Sequence, residues 1–488
     1  MTCFNDIITQ VNDVLWTYVI MVVLVCCGLW FTWRMHFVQF RMLGEMIRLL
    51  TDASVSSVSF VADSRRLTQS KKHISSFQAF AVSVASRVGT GNLAGVATAI
   101  AVGGPGAIFW MWVMALVGAA TAFVESTLGQ LFKKPAGNFF IGGPAYYISK
   151  GMRYCSWKPL RNSGAWMSVL FAILITLTFG LANNMMQANT ICGAMSQAFG
   201  FSPVTVGAVI ALLSLIIVYG GIHRIAKVSS ILVPLMAVGY FFLAFYIVLM
   251  NISIIPHVVK VIIEDAFGFS QVAGGGVGVA MMNGVKRGLF SNEAGEGSAP
   301  NAASAADVTH PVKQGLIQAL GVFTDTLLVC SCTAFIILIS GLYQMPELNG
   351  INLTQSAFQA EIGAAGPVFV AIAIFLFAFS SIIANYYYGE ANIRFMTNSH
   401  NVLTFYRVFS GGVMVMMGAF VTLEMAWNMV DLCMALLTAC NLVAIIALGK
   451  YVFQLLDDYL QQNRQGVRDP QFHRHYLPDL ANDLECWE

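Results

Sequence analysis

The sequence predicts an all-α polytopic membrane protein, and three observations predict it. The 488 residues are 57% hydrophobic and only 10% charged, with a mean hydropathy of +0.71. Eleven apolar segments of helix length can be read, at 14–33, 77–102, 106–132, 166–199, 203–219, 228–250, 272–305, 314–342, 366–394, 403–423 and 425–449. All but four of the 26 Lys and Arg residues lie in alternate connections, at 34–76, 133–165, 220–227, 307–313, 394–407 and 450–488. That alternation follows the positive-inside rule with the N-terminus outside and the C-terminus in the cytoplasm. The four exceptions are Arg87, Lys260, Lys286 and Arg287.

Segment 14–33 has no basic n-region or small-residue cleavage site before it, so it is expected to be a retained helix. Segment 77–102 is long enough to span but is interrupted by Ser86-Arg87-Val88-Gly89-Thr90-Gly91-Asn92. A lipid-exposed break would leave unpaired N–H and C=O groups in hydrocarbon, so this one must line a cavity or lie buried in protein. Glycine lets the chain leave the helix, and Thr90 and Asn92 are residue types that cap a restarting one. The restarted half-helix presents free N–H groups and a positive dipole end, suited to a carboxylate. The abandoned end of the first half presents carbonyls, suited to a cation. Thr90 and Gly91 are the candidate carboxylate donors, against the plainer reading of a simple kink. Segments 166–199 and 272–305 are too long for one simple span and are expected to tilt or break.

The seventh segment repeats the anomaly. Ala273-Gly274-Gly275-Gly276-Val277-Gly278 leads to Lys286-Arg287-Gly288-Leu289-Phe290-Ser291-Asn292-Glu293-Ala294-Gly295-Glu296-Gly297, and no straight lipid-facing helix tolerates that density of charge and glycine. It lies five segments after the first break. Broken helices at matching positions of two halves mark a transporter's binding site at the repeat interface. An odd spacing makes the halves run in opposite directions, a five-plus-five inverted repeat with 14–33 as one extra N-terminal helix. The expected divisions are 1–76 (extra helix and basic cytoplasmic loop), 77–250 (first repeat), 251–449 (second repeat) and 450–488 (cytoplasmic tail). Phe290, Ser291 and Asn292 offer an aromatic wall and polar groups at the second break, a pocket for a short side chain.

The stretches Val88-Gly89-Thr90-Gly91-Asn92-Leu93-Ala94-Gly95-Val96, Gly103-Gly104-Pro105-Gly106-Ala107-Ile108-Phe109-Trp110, Asn184-Met185-Met186-Gln187-Ala188-Asn189 and Lys286-Arg287-Gly288-Leu289-Phe290-Ser291-Asn292-Glu293-Ala294-Gly295 strongly resemble the alanine or glycine:cation symporter family, the sodium:alanine symporters. The resemblance runs from about residue 77 to the tail. It implies the leucine-transporter type fold, which the spacing of the breaks suggests on its own. It also implies that Gln187 reaches the substrate, where the plainer reading is a polar contact between helices. By the same resemblance Ser380 and Ser381 look like paired hydroxyls completing a Na⁺ site with the carbonyls of Ala85, Val88 and Phe377. A Na⁺ needs only hard oxygen donors; the plainer reading is two serines bonded within their own helix. Two positions depart from the family pattern: Ala122, where a basic residue is expected, and Glu296, where many members carry an apolar one. An extra acid beside the second break bears on the coupling ion and its pH dependence.

Arg87, Glu125, Lys286, Arg287, Glu293, Glu296, Asp325 and Asp431 are costly within a membrane unless paired or wet. They are expected to be fixed ion pairs, with Glu293 and Glu296 neutralising Lys286 and Arg287. The cysteines are expected to be reduced, and His473 and His475 solvated. No HExxH, helix-borne GxSG or GxGD motif supports an enzyme. The reading is therefore Na⁺-coupled uptake of a small neutral amino acid across a bacterial-type plasma membrane. Na⁺ would be the coupling ion, with no other cofactor, no nucleic-acid partner and a monomeric protein in the lipid bilayer. The alternatives are H⁺ coupling on the same fold or, from a different class, an ion channel.

Overall fold

The computed structural model describes residues 2–51, 74–137, 139–268 and 276–487. Among them seven helices are long and apolar enough to cross a membrane: Ile8–Arg34, Gly106–Leu131, Lys158–Phe199, Gly221–Met250, Pro311–Ser340, Ala365–Met396 and Leu423–Arg464. The other four expected segments are shorter or interrupted. Segment 77–102 becomes two half-helices, Ser76–Arg87 and Gly91–Gly103, and 203–219 becomes Pro203–Val218. Segment 272–305 becomes Val277–Asn292 and Ala299–Ala303. Segment 403–423 becomes His400–Val408, which passes through a wide π-type turn, Phe409–Met414, into Val415–Met417. Ala273, Gly274 and Gly275 lie outside the described residues.

The first break is short. Helix Ser76–Arg87 starts on a Ser75/Gln78 capping box and ends at Val88, whose backbone is extended. The halves have 12 residues and 13 residues, roughly 18 and 20 Å, so the break divides the span near its middle. The second break is longer. Glu293 takes a left-handed backbone (φ +55), and Gly295 and Gly297 follow at φ +90 and +84 before the helix resumes. Two glycines among six residues supply backbone geometry that other side chains resist.

Among the helices in the connections that apolar periodicity did not reveal are Ile255–Ala266 and Gly350–Ile362. Both dock on the breaks' surroundings. Gly106 N–H donates to Asp265 Oδ2 (2.7 Å), and the Thr354 hydroxyl donates to Leu93 C=O (3.0 Å) on the restarted half-helix. The last helix runs to Arg464, well beyond the apolar segment at 425–449. The first helix packs beside it: Trp16 Nε1 donates to Asp431 C=O (3.1 Å) and Asn12 Nδ2 to Asn428 C=O (3.0 Å). The tail folds back over the face where residues 132–142 and 307–313 lie, with Phe472 N–H on Thr309 C=O and Trp487 Nε1 on Leu131 C=O. His473 and His475 are exposed with rings 5.6 Å apart, and the described residues hold no metal-ligating cluster. The cysteines from Cys26 to Cys486 are free thiols.

Candidate substrate and cation site

The two breaks meet in a fully buried polar core. Gly89 N–H donates to Asn92 Oδ1 (2.9 Å), so Asn92 closes the turn by folding back on the break. Thr90 does not cap; its hydroxyl is buried without a partner. Thr90 N–H donates to Gln187 Oε1 (2.9 Å), which puts the Gln187 amide on the break itself. Gln187 stands one turn beyond the wide π-type stretch Thr178–Asn183. The stretches Gly91–Gly95 and Phe323–Cys330 around the same core are wound likewise. Such windings recur at functional sites because the extra residue loosens the backbone ladder.

Asp325, in the last of these stretches, ties the breaks together. Its Oδ1 accepts from Asn92 Nδ2 (2.7 Å) on the first; its Oδ2 accepts from the Ser291 hydroxyl (2.7 Å) on the second and from Thr326 (2.9 Å). Cys330 Sγ stands 3.3 Å from Asn92 Nδ2 and 3.1 Å from Ser291 Oγ. Asn292 donates to Thr326 Oγ1 (3.3 Å) and accepts from Ala294 N–H (3.1 Å). Sequence reasoning marked Asp325 only as a charge needing a partner; its partners lie on three separate segments, which no local spacing encodes.

The predicted oxygen cluster also assembles. The Ser381 hydroxyl lies 2.8 Å from Ala85 C=O, 3.3 Å from Val88 C=O and 3.1 Å from Phe377 C=O. Ser380 Oγ is 2.8 Å from the same Phe377 carbonyl and 3.8 Å from Met236 Sδ. Three carbonyls and two hydroxyls, all neutral, thus sit at the abandoned end of the first half-helix, a donor set that a small hard cation accepts.

On the other side of Phe290 the expected pairing of charges is corrected. Lys286 and Arg287 are neutralised by Asp431 of helix Leu423–Arg464, not by Glu293 and Glu296. Lys286 Nζ is 2.7 Å from Asp431 Oδ2, and Arg287 holds both Asp431 oxygens at 3.1 and 2.8 Å. The acids failed as local partners because the chain turns away after Asn292, carrying them toward the opposite side of the break. The Arg287 guanidinium also lies 3.9 Å from the centre of the Trp427 ring, and that ring packs edge-on against Phe290 at 4.7 Å. Phe290 is therefore the floor of an ion-paired, aromatic lid.

Below the break, Glu125 receives Gly295 N–H (3.3 Å), Gly297 N–H (2.9 Å) and Asn441 Nδ2 (2.8 Å), which satisfies the unwound backbone. The Ser86 and Ser298 hydroxyls each lie 2.6 Å from a Glu293 oxygen, fixing its left-handed backbone.

The sequence matches the pattern of the "Sodium:alanine symporter family" over residues 1–474. It is 46% identical to the "Probable sodium/glutamine symporter GlnT" of Bacillus subtilis, over 99% of this chain and 96% of that protein. It is 46% identical to the "Amino-acid carrier protein AlsT" of the same organism, over 99% and 98%. It is 35% identical to the "Sodium/alanine symporter AgcS" of Methanococcus maripaludis, over 92% and 96%. Among solved structures it is similar to a manganese transporter of Eremococcus coleocola, at 13% identity and a TM-score of 0.45, over 88% of this chain and 79% of that one. The chain belongs to the sodium:alanine symporter family, and so to the multi-pass membrane transporters of amino acids rather than to the enzymes.

Proposed function

We propose that the protein is a Na⁺-coupled importer of a small neutral amino acid, alanine or glycine first, in a bacterial plasma membrane. The observation that carries this reading is the convergence of Ala85, Val88, Phe377, Ser380 and Ser381 oxygens beside a break whose Thr90 hydroxyl is buried and unpartnered. The Na⁺ takes the oxygen cluster, with the Ser381 proton turned outward. The amino-acid carboxylate takes N–H groups and the Thr90 hydroxyl at the restarted helix, with Gln187, Asn92, Ser291 and Asn292 around it. The short side chain points at Phe290. Ion and zwitterion fill the site from outside, the lid closes, and the breaks open toward the cytoplasm. This reading uses eleven passes in a five-plus-five inverted repeat of leucine-transporter type, N-terminus outside and C-terminus inside, working as a monomer. The division into two repeats at 77–250 and 251–449 follows from it. The polar groups that meet at the two breaks form a buried core rather than an open path, which favours a carrier over a channel.

Labelled alanine uptake into proteoliposomes tests the reading, with an imposed Na⁺ gradient set against an imposed pH gradient. Saturable, concentrative uptake driven by Na⁺ is the expected result. Uptake that runs equally well without Na⁺ removes the sodium assignment. Glycine or serine should compete with alanine far better than leucine does, because Gly91 lies tight against Phe290, where an added Cβ would come within 3.1 Å of Phe290 Cδ1. Equal competition by leucine rules out a small pocket.

Replacing Ser381 by Ala removes one hydroxyl donor without adding bulk. The expected loss of about 1–2 kcal/mol raises the half-saturating Na⁺ concentration roughly ten-fold, with the rate partly restored at high Na⁺. An unchanged Na⁺ dependence at normal protein level would exclude Ser381 as a ligand.

A further inference from the structure

A cleft of about 150 Å³ runs beside the first half-helix. Phe80, Ala81, Val84 and Val88 line it from that side, Met236 and Ala237 from helix Gly221–Met250, and the stretch Phe323–Cys330 closes the third side. Ala81 and Ala237, two methyl-sized side chains, leave the gap. Phe77 and Pro234 stand exposed at the rim, while Ala81, Val84, Val88 and Met236 are buried at the floor. The Thr324 hydroxyl, also at the rim, turns back onto Leu320 C=O (3.0 Å), so the lining is apolar. Helix Gly221–Met250 is buried over only 28% of its apolar stretch, the lowest share of the seven spans, and Ile231, Leu235 and Val238 stand exposed around the cleft. This flank of the protein faces lipid.

What fills such a cleft follows from its depth and its mouth. It runs from Phe77, at the start of the half-helix, to Val88 at the break, roughly 16 Å along the axis. That is about half of a ~30 Å hydrocarbon core, the depth of one leaflet. Water is a poor occupant, since a buried water needs polar partners and the lining offers none. An unfilled cleft forfeits the dispersion contacts of its walls, and a hydrocarbon chain from the bilayer restores them. The mouth carries a charge. Lys227 is exposed two helical turns before Pro234, on the same face and about 10 Å nearer the start of the helix. A lysine at the surface of a leaflet attracts anionic headgroups.

We propose that the cleft is a phospholipid site. An anionic phospholipid sets its headgroup at Lys227 and lays one acyl chain between the first half-helix and helix Gly221–Met250. The end of the chain reaches Val88 and Met236. The Val88 carbonyl belongs to the oxygen cluster, and Met236 Sδ lies 3.8 Å from Ser380 Oγ, so the lipid backs the wall of that cluster. Helix Ser76–Arg87 has only 12 residues and ends at the break, so its position depends on contacts along its sides. The acyl chain supplies them on the side that the protein leaves open. This site is distinct from the amino-acid and Na⁺ sites and does not depend on which substrate crosses.

The test uses the full-length protein in phosphatidylcholine liposomes that carry a trace of phosphatidylglycerol with a diazirine on one acyl chain. Parallel samples carry phosphatidylcholine with the same chain, or the diazirine fatty acid alone. After illumination, mass spectrometry maps the labelled residues. Phosphatidylglycerol should label 77–88 and 233–237 about five-fold more than phosphatidylcholine does, the preference that one surface lysine gives. Leu212 and Ile216, exposed on helix Pro203–Val218, report bulk lipid and should show no such preference. Lys227→Gln changes an exposed side chain and should remove the preference while leaving the fold intact. Ala237→Phe fills the cleft from its own wall and should abolish labelling at 77–88, with Leu212 and Ile216 labelled as before. Should Ala237→Phe fail to purify as a monodisperse species, the wild type and Lys227→Gln still decide. Equal labelling of 77–88 by the two phospholipids, labelling there by the fatty acid alone, or unchanged labelling in a monodisperse Ala237→Phe protein each overturns the site. None of these outcomes touches the transport reading, which the uptake measurements test separately.

Discussion

Gly89→Ala is expected to abolish Na⁺-dependent amino-acid binding while the protein still inserts and purifies. A Cβ at Gly89 would run into the Ser381 hydroxyl and come 2.6 Å from Gln187 Oε1. The first contact belongs to the oxygen cluster and the second to the group that holds Thr90 N–H. Neither can simply swing aside, since Ser381 is engaged by three carbonyls and Gln187 by the break itself. Losing a buried hydrogen bond costs about 1–3 kcal/mol. Two losses at once correspond to a fall in affinity on the order of a hundred-fold or more. Gly91→Ala should be milder but still severe, because its Cβ would meet Phe290 Cδ1 and Ser291 Cα at 3.1 Å and wedge the two breaks apart. Its penalty comes from that wedge alone; Gly91 has an ordinary helical backbone, since it is not among the glycines with positive φ. Gly95→Ala is the control, one turn further on, where the nearest atom would be Trp427 Cη2 at 3.6 Å, an ordinary contact. Binding of labelled alanine by scintillation proximity, beside a size-exclusion trace, ranks the three. A folded Gly89→Ala protein that binds like the wild type would disconnect the first break from both sites.

The second large effect belongs to Asp325→Asn. The substitution is nearly isosteric, so it leaves the packing intact and changes only what the two oxygens can do. In the wild type Asp325 accepts from Asn92, Ser291 and Thr326, which lie on both breaks and on its own helix. An amide replaces one acceptor with a donor: facing Asn92 Nδ2 it opposes another donor, and facing the hydroxyls it forces Ser291 and Thr326 to accept where they had donated. At about 1–3 kcal/mol per unsatisfied group, and more for bonds to a charged acceptor, the breaks lose their registry. Substrate affinity should fall by roughly ten- to a hundred-fold or more. Thermal stability without substrate should fall too, and added alanine should no longer raise the melting temperature. A variant that keeps the alanine-induced rise would show that Asp325 is only packing.

The legible part of the site was the part written in runs. Gly89-Thr90-Gly91-Asn92 and the stretch from Lys286 to Gly297 interrupt long apolar segments, and a broken helix in a membrane is visible because glycine and charge have no other place there. The hydroxyl pair at Ser380 and Ser381 was read by resemblance; both bond Phe377 C=O within their own helix, and Ser381 also reaches the Ala85 and Val88 carbonyls. What stayed hidden was pairing across the fold. Lys286 and Arg287 looked locally balanced by Glu293 and Glu296, yet a left-handed turn at Glu293 sends the acids away and leaves Asp431, 144 residues later, to hold Arg287. Ile255–Ala266 and Gly350–Ile362 were missed because they are short, mix polar with apolar residues and are bounded by apolar spans, so hydropathy alone reads them as connections. The interrupted spans give no clean count for the same reason: a helix broken near its middle has too few consecutive residues to register as one crossing.

The contact between the first helix and the last sets an order of events in biogenesis. Asn12 and Trp16 find their acceptors on Asn428 and Asp431, more than four hundred residues later in the chain. While the ribosome is still working, the first helix sits in the bilayer with an indole N–H and an amide awaiting partners that do not yet exist. Lys286 and Arg287 likewise wait for Asp431, the acid that pairs with them. Closure of the bundle is therefore a late and long-range step, the kind that contact order makes slow. A nascent chain truncated before helix Leu423–Arg464 should stay open, with two cations and the first helix exposed to proteases and quality control.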